Sequence, residues 1–379
     1  EVKQRMYHEN EPRIAMRDVT LKIIREEMEK SEDISIRYAN KLASISNYWK
    51  NSIGMNKAIV DNKVVETKLA EEAAFKAWAE KNGKSEYTDV VENINACVEE
   101  MNRTQYLTTV TSELIMNVEF IYRNLAKENG KLLEKPETLE ETMKNIYNWL
   151  HDRDYNHDID RRIAKEVLPL YFELTKPEER NEYLNEVYAK YKGNLEKYID
   201  HVYENSILAN EANLKKFLKK PTLKKFEKDP AVLLRTAVFE SYRELSAKNA
   251  EFAQVMNPLH KTYLKGLMEK ANGAPVYPDA NFTMRLTYGN VKSYQPKDGV
   301  TYNYYTTLKG VMEKEDPNNS EFIVPARLKE LYEAKDYGRY AMANGEMPVA
   351  FLTTNDITGG NSGSGILNAD GELIGLAFD

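Results

Sequence analysis

Residues 353–367 read Thr-Thr-Asn-Asp-Ile-Thr-Gly-Gly-Asn-Ser-Gly-Ser-Gly-Ile-Leu, and their centre, Gly360-Asn361-Ser362-Gly363, sets a serine between glycines. Glycine on both sides lets the backbone turn sharply and approach a ligand where a Cβ would collide. Acyl transfer needs such a loop. The attacking hydroxyl must lie beside backbone N–H groups aimed at the developing oxyanion, and a Gly-x-Ser step can supply them from Gly360 and Ser362. Ser362 is therefore the candidate nucleophile, whereas Ser364 lies too far along to share those donors. Small-residue runs of this kind are also common as plain surface turns. The flanks argue for more than a turn: the apolar segment Val349 to Leu352 leads in as a buried strand, and a hairpin leads out. That hairpin runs through Ile366-Leu367, the Asn368-Ala369-Asp370-Gly371 turn and the stretch Leu373 to Phe378.

Strand, nucleophile loop and hairpin follow one another in this order around the reactive serine of chymotrypsin-like proteases. The run TNDITGGNSGSGILNADGELIGLAFD, from Thr354 to Asp379, resembles the serine motif of the bacterial dipeptidyl-peptidase 7/11 family of serine exopeptidases. Two further stretches, SNYWKNSIGMN at Ser46 to Asn56 and YNYYTTLKGVMEK at Tyr302 to Lys314, resemble the same family, and the resemblance runs over essentially the whole chain. It implies an α+β protein in which a chymotrypsin-type double β-barrel carries a large helical domain. It implies release of dipeptides from the free amino end of oligopeptides; no cofactor and no metal are expected. Export to the periplasm or cell surface of a bacterium and a homodimer are implied in the same way.

The resemblance also assigns residues. It places an Asp in the LAFD position, here Asp379, to bind the substrate's free ammonium. A carboxylate there would stop the substrate two residues in, because a buried charge demands a partner and an acylated chain would leave it unpaired. A helical-domain asparagine contacts the same amine; Asn47 matches best, with Asn51 as the alternative, while Tyr48 and Trp49 read most simply as core residues. The catalytic His and Asp are put upstream of Glu1, so residues 1–379 alone are expected to be inactive. The position that sets the side chain preferred before the cut falls past Asp379, which leaves acidic and apolar preference both open. The motif departs from trypsin-like enzymes at Asn361, where those enzymes carry an Asp that pairs with a newly freed amino terminus; a neutral amide forms no such ion pair. Asp356, six residues before Ser362, falls where trypsin-like frames place the floor of the pocket, but is not read as selecting basic residues.

Positioning elements come next. A chain of 379 residues with a net charge of -7 can bury a sizeable core and holds two domains. No apolar run is long enough for a transmembrane helix. The single cysteine, Cys97, rules out an internal disulfide and reads as a small core residue in a helical pattern. Residues 1–272 are helical in pattern: Ala15, Val19 and Ile23 stand four apart, as do Ile24 and Met28, and Leu139, Met143, Ile146 and Leu150 mark another stripe behind a Thr138/Glu141 capping box. Of 17 glycines, 5 fall in residues 1–272 and 12 in 273–379, which places β structure in the second stretch. Residues 272–278 read as the linker, since Gly273, Pro275 and Pro278 cannot continue a helix. Beyond it, Phe282, Met284, Leu286 and Tyr288 alternate with polar residues at the period of a half-buried strand. The expected domains are thus a helical one over 1–272 and a β-barrel one carrying the nucleophile over 273–379. The chain closes straight after an apolar run, with no turn, and reads as a fragment.

Other clusters are weighed against this. Asp152, Asp154, Asn156, Asp158 and Asp160 mimic the start of a calcium loop, yet the sixth position is His157 rather than Gly and the twelfth Ile163 rather than Glu, so a polar turn capping a helix near Asp158 is the better reading. The lysine run from Lys215 to Lys228 could suit a nucleic-acid backbone, but Leu214, Phe217 and Leu218 supply a buried face and the chain is acidic, which makes it a solvated helix surface. His8, His151, His157, His201 and His260 all precede the β region, and none is assigned as the base. The reading is a serine dipeptidyl-peptidase acting on oligopeptides with a free amino terminus. The rival is a helical interaction protein with an inactive protease-like β appendage.

Overall fold

The structure, a computed structural model, describes residues 1–274, 283–357 and 359–378. The chain divides into two compact units, Glu1–Pro275 and Val276–Asp379. Counting α-helices of five or more residues, the first unit holds α1 (Glu11–Lys30), α2 (Glu32–Asp61), α3 (Val64–Lys81), α4 (Val90–Asn117), α5 (Glu119–Arg123), α6 (Pro136–Leu150) and α7 (His157–Leu174). It continues with α8 (Glu182–Lys190), α9 (Leu195–Asn205), α10 (Glu211–Leu218), α11 (Leu223–Glu227) and the long α12 (Pro230–Lys270). Among the described residues no helix is long and apolar enough to cross a membrane.

Local chemistry sets the helix starts. Ser31 caps α2 by accepting from the Ile34 amide, with Glu32 and Asp33 in the first turn, and Asp229 caps α12 through the amides of Ala231 and Val232. α6 begins two residues before the expected capping box: Pro136 occupies its first turn and Lys135 its cap position, leaving Thr138 inside the helix. A proline's fixed φ and missing N–H suit that first position, and this overrides the Thr/Glu signal.

The stripes read from sequence do face inward. Ile23, Ile24, Leu139, Met143 and Leu150 are buried, with Val19, Met28 and Ile146 packed against them. They join one core with Val110, Leu114 and Ile115 of α4 and Ala231, Val232, Leu234, Ala237 and Val238 of α12. Burying a side chain such as Leu114 contributes roughly 1.5–3 kcal/mol. A second cluster gathers Phe75, Ala79, Tyr87, Val90, Ile94, Cys97, Val98 and Met256. Gly266 of α12 lets that helix close on it, since a Cβ there would lie 2.6 Å from Phe75 Cζ.

The acidic run around α7 is structural. Asn156 caps α7 by accepting from the amides of Asp158 and Ile159, both at 3.0 Å, and Asp152 pairs with Arg123 at 2.6 Å. Asp160 is fully buried and caps α5: its carboxylate accepts the Glu119 amide at 2.8 Å, the Phe120 amide at 2.9 Å and the Tyr203 hydroxyl at 2.6 Å.

The second unit is lighter. β1 (Tyr294–Lys297) pairs antiparallel with β2 (Val300–Tyr302), β3 (Tyr305–Thr307) with β4 (Pro348–Phe351), and β5 (Gly365–Leu367) with β6 (Leu373–Leu376). Two short helices, α13 (Leu308–Glu313) and α14 (Ala326–Glu333), lie between β3 and β4. Pairing continues past β4, where the Lys292 amide donates to the Leu352 carbonyl and the Thr354 amide to the Asn290 carbonyl. The expected half-buried strand does not form over the described part of 282–288: Met284, Leu286 and Tyr288 are unpaired and almost fully exposed, and Phe282 lies outside the described residues. Alternation marks a face that needs a facing layer, and none of the described residues supplies one. For the same reason Val349, expected in a buried strand, is 53% exposed. Pro275 and Pro278 of the expected linker also lie outside the described residues.

Asp160 gives a test of the helical unit. Burial first, and then the Glu119 carboxylate, push its carboxyl from 3.8 up to about 7, against the donors that favour its charge. The unfolded chain releases this proton near pH 4 while the folded chain keeps it until near pH 7, so its contribution to stability falls as pH rises across that window. Asp160→Asn removes the titration and misplaces an N–H₂ among donors, which destabilises most at low pH. The gap in Tm between wild type and Asp160→Asn should therefore narrow from pH 4 to pH 7; a constant or widening gap contradicts the assignment.

Candidate active site

The serine loop is a tight turn whose conformation depends on its glycines. Gly360 has φ +101° and Gly363 φ +88°, both in the region that favours glycine, and they bracket Asn361 and Ser362. Ser362 and Gly360 are exposed, and the N–H groups of both have no hydrogen-bond partner among the described residues. The turn closes on itself where the Ser364 amide donates to the Asn361 carbonyl at 3.0 Å. Two further bonds tie it to the end of the hairpin: the Gly363 amide donates to the Ala377 carbonyl at 2.7 Å, and the Ala377 amide to the Ser364 carbonyl at 2.8 Å.

The hairpin itself follows the sequence expectation. β5 and β6 pair with Gly365 opposite Leu376 and Ile366 opposite Gly375, with a bulge before Leu367 and Leu373. Asn368 builds the turn, its side-chain oxygen accepting the amides of Asp370 and Glu372, and Gly371 takes φ +81°. Gly375 brings the hairpin against β4, because a Cβ there would lie 2.8 Å from Phe351 Cε1. The serine turn thus hangs from paired strands on both sides. Asp356 is exposed, and Asp379 lies outside the described residues.

In the helical unit Asn47 and Asn51 both stand exposed on α2. The aromatic residues beside them are not core: Tyr48 is 62% exposed, and Trp49 is half-buried, its Nε1 donating to Asp18 Oδ1 at 2.6 Å. The small side chains Ser46 and Ser52 are buried instead, on a helix that packs against α1. Arginines of α1 back the two rings, Arg17 at 5.2 Å from the Tyr48 ring centre and Arg25 at 5.8 Å from that of Trp49. Neither arginine carries a local sequence signal, since the pairing joins residues far apart in the chain.

The remaining candidates have structural partners. His151 Nε2 meets the Leu208 carbonyl and His157 Nε2 the Tyr203 carbonyl, and burial pushes both rings below the usual histidine range. His201 contacts Asn205 and His260 contacts Glu1. His8, also in the first unit, is lowered by burial. Cys97 is buried, and burial followed by the Glu100 carboxylate pushes its thiol up, away from the reactive thiolate. Lys215, Lys216, Lys219, Lys220, Lys224, Lys225 and Lys228 are exposed while Leu214, Phe217 and Phe226 are buried beneath them.

A family model described as Peptidase S46 matches residues 1–379. The chain is 52% identical, over 100% of its length, to Dipeptidyl-peptidase 7 of Phocaeicola vulgatus, of which it covers 54%. It is 36% identical, over 98% of its length, to the Asp/Glu-specific dipeptidyl-peptidase of Porphyromonas gingivalis, of which it covers 52%. Among solved structures it is similar to the crystal structure of Porphyromonas endodontalis DPP11 in complex with the dipeptide Arg-Glu, with a TM-score of 0.91 and 33% identity over 100% of this chain and 55% of that one. The chain therefore spans about half the length of the curated relatives it matches. As its serine motif implied, the chain belongs to the peptidase S46 family.

Proposed function

We propose that the protein is a serine dipeptidyl-peptidase that releases dipeptides from the free amino end of oligopeptides through an acyl-enzyme. The observation that carries this reading is the turn around Ser362, held by two positive-φ glycines and bonded to the strand that leads to Asp379. Ser362 Oγ attacks the carbonyl carbon of the second peptide bond, and the amides of Gly360 and Ser362 receive the oxyanion. The serine proton passes to a histidine that the resemblance puts upstream of Glu1, and from it to the leaving amine. Water then attacks the acyl-enzyme and frees the dipeptide. Membership of the peptidase S46 family and relatives named as dipeptidyl-peptidases support the substrate class.

The same proposal takes β1–β6 as part of a chymotrypsin-like barrel. Leu367, Leu373, Leu376 and Phe378 are uncovered, as the inner face of barrel strands is when facing strands are not alongside. Asp379 is proposed to bind the substrate's ammonium. Its support is the pair of bonds linking Ala377, two residues earlier, to Gly363 and Ser364, which sets that strand next to the nucleophile turn. Asn47 is proposed to contact the same amine. Its exposure on α2, among polar and aromatic neighbours, suits that role. Export to the periplasm or cell surface and a homodimer rest on the resemblance alone.

Two measurements test the reading in the full-length protein. Ser362→Ala should lower turnover by at least about a thousandfold and change folding stability by less than about 0.5 kcal/mol, because an exposed hydroxyl contributes little to packing. Dipeptide release near the wild-type rate would remove Ser362 from the mechanism, whereas no dipeptide release by the full-length wild type would favour a helical interaction protein with an inactive β appendage. The second measurement compares a free-amino dipeptidyl substrate with its N-acetylated form. Wild type should strongly prefer the free amine and Asp379→Ala should lose most of that preference; equal discrimination by both would show that another group reads the amino terminus.

A further inference from the structure

Against the α2 turn that carries Asn47, at Ile45 and Tyr48, lies a charged group that joins three helices. Glu113 of α4 has a side chain only 5% exposed, and its carboxylate takes Arg17 of α1 through Nε at 2.7 Å and Nη2 at 3.0 Å. The same carboxylate accepts Arg13 Nε at 3.2 Å and Asn117 Nδ2 at 3.1 Å. The third nitrogen of Arg17, Nη1, donates to the Ile45 carbonyl of α2 at 3.3 Å, two residues before Asn47, and the guanidinium lies against the ring of Tyr48.

We propose that Arg17, held by the buried carboxylate of Glu113, is the positioning residue for the Asn47 turn of α2, and that Glu113 keeps this face able to receive a cationic substrate end. The inference rests on the reading of Asn47 as the contact for the substrate's amine. A guanidinium has donors fixed in one plane, so the bidentate grip of Glu113 also fixes where Nη1 meets Ile45 and where the plane meets Tyr48. Turning Arg17 would release the α2 carbonyl and shift the residue that follows it by two positions. Charge adds a second reason. Arg13 and Arg17 are two cations beside a face that takes an ammonium, and Glu113 offsets them at close range in a low-dielectric site. A lysine at position 17 would keep the charge but could not grip Glu113, reach Ile45 and lie flat on Tyr48 together.

The test is steady-state kinetics on the full-length protein with a free-amino dipeptidyl substrate. It uses Glu113→Gln, Arg17→Lys, Asn47→Ala and the doubles of each of the first two with Asn47→Ala. Glu113→Gln and Arg17→Lys should each raise KM about fivefold or more while kcat stays within about twofold, because they disturb binding of the amine and leave the acyl chemistry alone. In the Asn47→Ala background the same changes should add less than about twofold to KM, since they act through the residue already removed. An unchanged KM in a folded variant overturns the positioning role, and so does an equal multiplication of KM in both backgrounds, which marks a general effect on the fold. Should Glu113→Gln fail to fold, Arg17→Lys alone decides. If Asn47→Ala itself leaves KM unchanged while Arg17→Lys raises it, the reading of Asn47 fails and the inference with it. If Asn47→Ala raises KM and the other two do not, only the inference fails.

Discussion

The helical unit depends on one antiparallel contact, between α4 and α12. Each helix spans both apolar clusters: the first half of α4, from Val90 to Val98, meets the later part of α12 at Met256, and its second half, from Val110 to Ile115, meets the start of α12 at Ala231 to Val238. Asn249 Nδ2 donates to Thr108 Oγ1 at 2.9 Å between the two cores. The same α4 carries Glu113, so the helix that organises the packing also holds Arg17 against the α2 turn that carries Asn47. A helix fixed along its length by two cores can hold a buried carboxylate at a set position, and that is what a bidentate pair needs.

The β unit obeys a different constraint. Its strands are short, paired in twos, and leave apolar side chains such as Leu373 and Phe378 in the open; among its described residues only Leu308 and Val324 are buried apolar side chains. Order at the serine turn therefore comes from backbone, through glycines at positive φ and the bonds to Ala377. A turn defined this way is legible in sequence, because backbone at the φ of Gly360 and Gly363, +101° and +88°, strongly favours glycine.

This explains what was readable. The helices, the β5–β6 hairpin with its Asn368-to-Gly371 turn, and the small-core reading of Cys97 followed from periodicity and turn chemistry, which are local. The serine loop was legible as a motif because its glycines are demanded residue by residue. Local signals failed where a distant partner decides. Tyr48 and Trp49 look like core residues in a helical pattern, but the packing of α2 in the helical unit buries Ser46 and Ser52 and leaves Tyr48 exposed. The alternation at Met284, Leu286 and Tyr288 marks a face without saying what covers it. Arg17 and Glu113, 96 residues apart, carry no pattern that would join them.

The central claim is that the turn around Ser362 presents a reactive nucleophile rather than a glycine-rich surface loop. Treating the full-length protein with a fluorophosphonate and mapping the adduct by mass spectrometry tests this without assuming any substrate. The account predicts a stoichiometric phosphonyl adduct on Ser362, formed with loss of fluoride and prevented by prior denaturation, since a serine attacks such a reagent at speed only when its base and oxyanion donors are assembled. No adduct, or an adduct confined to another residue, would contradict it.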